Sequence, residues 1–588
     1  MTAIITDKQS IAVEIASALN IAIKAESEGY FQGRGFIFVW TCGELVCLAP
    51  PEDYGKKRLA ADDLPFIPKP FLFTACKQKT AKGQLTDKAA VKQLNIIKKA
   101  FEACESIIVA TDAAEEGELN FRRIYHYLEC DKPFKRLWIG SLTAKDIKEG
   151  FKHLDDGALY DNLYAAADCR EKSDFLFKTN ASHTFSLSTG MVNYSLERIQ
   201  ILTLAMLCKR FAEHREFVSS RFFEHYITLE KDGKILRFKV PGTVKNKRKA
   251  KKRYERLKIC KEVQITKIKT QPVIQPAPLL YNLTALQKDA NLRYGFPAAK
   301  TMEIIRKLYE EKLISHPISD SRHIPKDVFA AIPQIIRQTA AYCELVGGLK
   351  IVERSNLNRR SVADIQAPGH HALIPTGVCP QYLSKDDKLI YKLIASRTLE
   401  AFAPDCQKEI TYMEAVCGNI VAESKISEII YPGWRLILGR KEDREENEAK
   451  QGDVLIALTK WENVCISGYN LLTRKIPKPF YTEESLLSAM EDASLGTVET
   501  RAGIIETLFS RDYIERRGKN LVPAEKGQLV YNCIKNMRIA NVEMAGSWDK
   551  TLANINRGEE NADAFMTMFE IFTRQMAEEI LNIQQAAP

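Results

Sequence analysis

The sequence predicts a multi-domain chain of mixed α/β and α+β class. Three observations lead there. The chain has 588 residues, more than one hydrophobic core usually serves. Residues 1–150 alternate strand-like and helix-like patterns, as a doubly wound domain does. The remainder runs helical, β-rich, helical, β-rich, helical. That palindromic order points to domains assembled from non-contiguous segments, and an arch or ring is one way to build them.

Taken in order, Ala3 to Thr6 reads as a short apolar strand and Ser10 to Leu19 as a helix. Gly35 to Trp40 is strand-like, rich in aromatic and β-branched residues. Ser106 to Ala110 is a buried-strand candidate that runs into Asp112 and an acidic turn, with a helix starting near Gly117. Ligands of doubly wound sheets lie beyond the carboxyl ends of strands, which is where Asp112 falls. Residues 151–215 read as helical, and 216–275 as β-rich through Phe222 to Leu229 and Val263 to Lys269. Inside the β-rich stretch lies a basic run, Lys245 to Lys258, read either as a solvated hairpin tip or as a phosphate-contacting arm. Pro272, Pro276 and Pro278 mark a linker. Residues 279–400 are mostly helical, 408–470 β-rich, and helices return from 482.

Composition narrows the class. Apolar content of 45% and charged content of 27% are those of a folded globular protein rather than a disordered one. A net charge of +10 suits a polyanionic partner and equally a basic solvated surface. None of the 14 cysteines forms a C-x-x-C pair, so no zinc ribbon is expected and the thiols read as reduced. The N-terminus carries Asp7, Lys8 and Glu14, unlike a secretory signal. No uncharged apolar stretch approaches the roughly 18 residues of a membrane span. The expected location is cytoplasmic.

Two short motifs bear on chemistry. The acidic turn Thr111-Asp112-Ala113-Ala114-Glu115-Glu116-Gly117-Glu118 offers carboxylates to a hard cation such as Mg2+. The same residues would also complement a helix dipole. In Asp7-Lys8-Gln9-Ser10, a lysine beside a strand-end carboxylate can hold a phosphate, while Ser10 can cap the following helix.

Longer motifs carry a resemblance. They are Leu279 to Gln287, Arg293-Tyr294-Gly295-Phe296, Leu308 to Arg322 (with Ser315-His316-Pro317-Ile318-Ser319-Asp320-Ser321-Arg322) and His370 to Gly377. Leu48 to Tyr54, Arg136 to Thr143, Arg198-Ile199-Gln200, Pro432-Gly433-Trp434, Leu495-Gly496-Thr497, Thr500 to Glu506 and Trp548 follow the same order. Together they resemble the type IA DNA topoisomerases, nearest the topoisomerase III branch. The resemblance implies a toroidal body with an N-terminal Toprim metal-binding domain at 1–150. It implies a helical DNA-gate domain from 151–215 with 480–588, a β-rich arch from 216–277 with 405–479, and a helical domain at 278–404 carrying the nucleophile position. It also implies binding of single-stranded DNA, cleavage through a tyrosine ester, strand passage and resealing, with Mg2+ on Asp112 and Glu116. Catalytic positions map to His316, Asp7, Lys8, Glu116 and His370, and DNA-binding positions to Arg198, Gln200, Asp320, Ser321 and Arg322.

The chain departs from the family pattern at its centre. The tyrosine position is His316 and the arginine after the next proline is Ile318. Asp7 stands for a glutamate, Gln9 for a proline, Ala114 for the second aspartate, Glu115 for an arginine and Glu197 for a glycine. Imidazole lacks the phenolic oxygen and reaches less far, and the substitutions leave the centre more negative, where a phosphate would be stabilised less. The expectation is that ordinary tyrosine-mediated cleavage is lost and His316 is a packed histidine. Tyr281 and Tyr309 do not read as substitutes. The alternatives are a non-catalytic DNA clamp or assembly protein, an enzyme using His316 as nucleophile, and a metal-dependent nuclease weakened by Ala114.

Overall fold

The computed structural model describes the chain apart from residues 24, 28, 57–58, 81–82, 192–193, 216–221, 364–369, 439–456, 475–477 and 586–588. The start of the first predicted β-rich stretch and the 439–456 part of the second lie outside the described residues.

The N-terminal sheet has seven strands in the order Asp155–Asp156, Phe134–Arg136, Ser106–Ala110, Thr2–Thr6, Phe36–Trp40, Tyr30–Gly33, Ala25–Ser27. The middle four are mutually parallel. Thr2–Thr6 and Ser106–Ala110 are buried almost throughout, which is why both read as apolar runs rather than alternations. Hydrophobic cores lie on both faces of the sheet, one around Leu94, Phe101 and Phe121, the other around Ile15, Phe38 and Ile147. The first helix spans Gln9–Ala18 with Lys8 at its N-cap and no side-chain cap, so Ser10 lies inside the helix and does not cap it.

A closed six-stranded barrel joins Phe222–Lys231, Lys234–Val244, Ile420–Tyr431, Cys406–Cys417, Glu262–Gln275 and Asn463–Arg474. Its interior follows a period of two, with Ile227 and Leu229, then Leu236, Phe238 and Val240 buried. Asp232 and Gly233 both take positive φ, the primed turn that matches strand twist in a two-residue hairpin.

Three expectations are corrected here. The basic run is a helix, Lys247–Ile259, and not a hairpin tip. Asn246 caps it by accepting from the Arg248 and Lys249 amides, and Ala250, Tyr254 and Leu257 turn to the barrel. Pro272 belongs to strand Glu262–Gln275, not to a linker. At that level the strand has a described ladder on one side only, so the missing N–H leaves no bond unmade. Cys260 and Cys417 form a disulfide, so this pair is not reduced.

Two helical bodies complete the fold. One core draws on helices Asp161–Thr189 and Arg198–Arg215 with the C-terminal helices, including Phe565, Phe569 and Phe572. The other draws on 277–406, with Leu308, Ile336 and Ile394, and includes Trp434. Tyr309 lies in a helix that ends at Glu310, so it is not on one helix with His316. No described helix is long and apolar enough to cross a membrane.

Phe238 is fully buried in the barrel, whereas Ile235 on the same strand is 45% exposed. Phe238→Ala should destabilise the barrel by about 3–5 kcal/mol and Ile235→Ala by less than about 0.5 kcal/mol. Hydrogen exchange of the barrel amides in the two variants is the check, and equal effects would contradict the packing.

Candidate functional site

The site is built on the end of strand Ser106–Ala110. Beyond it the chain turns through Thr111 to Ala114 and enters helix Glu115–Tyr127. Arg136, at the end of the adjacent strand and fully buried, fixes this turn. Its guanidinium donates to the carbonyls of Val109 at 3.1 Å, Thr111 at 2.9 Å and Asp112, and pairs with Glu118 at 3.2 Å. Burial lowers the Arg136 pKa, and the charges of Glu118 and Asp7 oppose that. Gly117 seats the helix: a Cβ there would stand 2.1 Å from the Asp112 carbonyl oxygen.

The Asp112 amide donates to the Asp7 carboxylate. Burial, and then the charge of Asp112, push Asp7 up to about 7. Burial also acts to raise Asp112, but His316, His370 and Arg136 outweigh it and bring it down to about 2. Glu116, exposed at the helix start, meets Glu499 from the C-terminal helical body. Burial and Glu116 push Glu499 up to about 9, against Arg306 at 3.0 Å. Lys8 pairs with Glu310.

His316 is 1% exposed, a packed histidine. Its Nε2 lies 2.6 Å from Asp112 Oδ1, its Nδ1 accepts from the Ile318 amide at 3.3 Å, and its own amide donates to Gly140 at 2.8 Å. The ring stacks on His370 at 3.8 Å and 13°. His370 stacks on Trp138 at 5.4 Å, and Trp138 on Tyr160 at 4.8 Å. The Nε2 of His370 bonds the Ala113 carbonyl, and burial holds its pKa well below the usual range. Tyr309 meets the His316 ring edge-on at 5.2 Å, and burial with the Asp112 charge raises its phenol well above the ordinary value.

Asp320, Ser321 and His370 line a cleft of about 640 Å³ beside the acidic turn, together with Arg170, Arg501 and Lys550. Arg198, Gln200 and Arg322 are not among its walls. Arg198 is buried on Asp174 at 2.6 Å and Asp549 at 3.2 Å. Gln200 is held between Glu197 and Arg511. Arg322 donates to the Leu280 and Leu279 carbonyls at 2.9 and 3.2 Å.

The substituted positions have internal partners. Glu115 pairs with Arg170 at 3.0 Å, and Glu197 with Arg511 at 2.6 Å and Lys178 at 3.0 Å. Ile318 and Ala114 line the cleft. Residues that sequence reasoning did not single out are Glu118, Trp138, Arg170, Glu499 and Asp549. Trp138 stands two residues beyond the strand that carries Arg136, a signal that was available. Glu499 and Asp549 are distant in sequence and carried none.

Carboxylates suit a hard divalent cation. As arranged, however, they do not form a shell for one. Asp112 Oδ1 is taken by His316, and no group of three or more His, Cys, Asp or Glu among the described residues is placed to hold a metal ion.

Residues 158–567 match the family model described as DNA topoisomerase. DNA topoisomerase 3 of Shouchella clausii is 31% identical over 98% of this chain and 81% of its own length. DNA topoisomerase 3 of Bacillus subtilis is 30% identical over 99% of this chain and 82% of its own. Among solved structures, full-length topoisomerase I from Thermotoga maritima superposes with a TM-score of 0.74 at 20% identity, covering 98% of this chain and 90% of that one.

Two outcomes follow from the geometry. Because the folded pKa of Asp7 is raised, its stabilising contribution is complete below about pH 4 and is lost as pH rises through about 7. Asp7→Asn should therefore match the parent near pH 4 and exceed it above pH 7 by roughly 2–4 kcal/mol, read from melting curves across pH. A gap independent of pH would contradict this. Arg198→Ala should destabilise by about 3–5 kcal/mol, because it strands the buried Asp549 and its neighbour Asp174. Denaturant unfolding reads it, and a neutral result would make the arginine a free DNA contact.

Proposed function

Because this chain belongs to the type IA DNA topoisomerases, on their topoisomerase III-like side, we propose that it binds single-stranded DNA and lacks strand cleavage through the nucleophile position. The observation that carries this reading is the commitment of both His316 ring nitrogens. Nδ1 accepts from the Ile318 amide, so Nε2 holds the proton it donates to Asp112 at 2.6 Å. A nucleophile needs a lone pair aimed at phosphorus about 3–3.5 Å away. Here one ring face is covered by His370 and neither nitrogen is free. Tyr309 offers no replacement, since its phenol is held protonated at neutral pH.

DNA binding draws support from the cleft, where Arg170, Arg501 and Lys550 stand near the hydroxyl of Ser321. Single strands are held in such grooves by backbone contacts and base stacking. A division into 1–150, 151–215 with 480–588, 216–277 with 405–479, and 278–404 is part of the same reading, supported by separate hydrophobic cores. A cytoplasmic location is also part of it. Type IA topoisomerases are generally Mg2+-dependent, and Mg2+ on Asp112 and Glu116 stays a proposal through which no step is derived.

The test uses purified protein, a fluorescent single strand and a negatively supercoiled plasmid. The parent and His316→Ala should bind the strand alike, weakening at least roughly tenfold between 50 and 200 mM salt. Neither should relax the plasmid with Mg2+ or leave protein joined to a 5′ DNA end. Relaxation by the parent that is lost in His316→Ala would overturn the absence of cleavage. Failure of both to bind the strand would overturn the DNA reading.

A further inference from the structure

The His316 ring occupies one of the oxygens that a divalent cation would need. Asp112 Oδ1 accepts from Nε2 at 2.6 Å, and the Asp112 amide is already spent on Asp7. The Glu116 carboxylate is turned to Glu499. The ring is not a loose occupant. The His316 amide is fixed on the Gly140 carbonyl at 2.8 Å, Ser315 donates through its amide to Ile374 at 2.9 Å, and the ring lies flat on His370.

These contacts also form a seam between two parts of the chain. Gly140, Asp112 and Ala113 belong to the segment 1–150, while His316 and His370 belong to 278–404. Lys8 with Glu310, and Lys312 with Glu14 at 2.7 Å, cross the same seam. The two ion pairs involve half-exposed or partly exposed side chains, so each adds little to holding the seam. The buried, hydrogen-bonded and stacked histidines are the stronger element.

We propose that His316 is a built-in competitor of the divalent cation at Asp112. With the ring on Asp112 the seam is closed and the carboxylates are kept from gathering around an ion. With an ion on Asp112 the ring must leave that oxygen, and the seam between 1–150 and 278–404 loosens. The inference rests on the proposed assignment of Asp112 as a cation ligand. It concerns an equilibrium between two conformations, each favoured by its own cationic partner.

The experiment uses the full chain without DNA and Mn2+ as the probe. Free Mn2+ is counted by electron paramagnetic resonance against the parent, His316→Ala, His316→Phe and His316→Phe with Asp112→Asn. Phenylalanine keeps a ring to stack on His370 and removes the donor. Both single variants should bind Mn2+ at least tenfold more tightly than the parent, and the double variant should lose that gain. Melting curves establish that each variant is folded. A second readout needs no substitution: saturating Mn2+ should speed hydrogen exchange at the His316 amide of the parent, which donates across the seam. Equal Mn2+ affinity in the parent and both single variants would overturn the proposal, as would no binding by any of them, or an unchanged His316 amide with Mn2+ bound. Strand binding measured in EDTA separates this from the function: retained DNA binding without competition sinks only the competition, and competition without DNA binding sinks only the function.

Discussion

The Arg136 guanidinium is the constraint on which the site depends. It is fully buried, so its charge and donors must be met from within. The carbonyls of Val109, Thr111 and Asp112 and the Glu118 carboxylate meet them. Those carbonyls are the last of a strand and the first of the acidic turn, so one side chain sets the turn's course. The direction of Asp112 follows, then the acceptance of its amide by Asp7, then the seat of His316. The close approach of Gly117 to Asp112 locks the same turn from the helix side.

Around that turn the charged residues are turned inward. Arg170 bridges Glu115 and Asp549, and Asp549 also receives Arg198, which reaches Asp174. Glu197, Gln200 and Arg511 close a second set. Charge introduced by Glu115 and Glu197 is thus neutralised by arginines of the chain itself. Groups paired in this way are less available to a phosphate than free ones, and Lys550 at the cleft edge is exposed.

Much of the parallel sheet was legible because buried strands announce themselves as apolar runs, and Ser106 to Ala110 led directly to Asp112. Family motifs then placed His316 and His370, which the fold brings into one stack. Other features were hidden for physical reasons. In Lys247–Ile259 the flanking cations masked an inner face of Ala250, Tyr254 and Leu257, spaced for a helix. Pro272 looked like a breaker because its neighbours across the sheet are invisible in one dimension. Cys260 and Cys417 are 157 residues apart, and no spacing rule reaches that far. Arg198 and Arg322 read as phosphate contacts, but whether an arginine faces a cleft or its own carbonyls is set by tertiary packing.

The stack Tyr160, Trp138, His370 has an optical consequence. The Trp138 indole lies between a phenol and an imidazole, with the Arg136 guanidinium 5.3 Å from its ring. Indole emission is sensitive to stacked imidazoles and to nearby charge. His370 reaches Trp138 from the far side of the seam, so separation of the two segments would strip one face of the indole and leave Tyr160 on the other. The chain has five tryptophans, and this one lies in that sandwich. Its colour and brightness are therefore a native gauge of how closely the two halves of the site lie together.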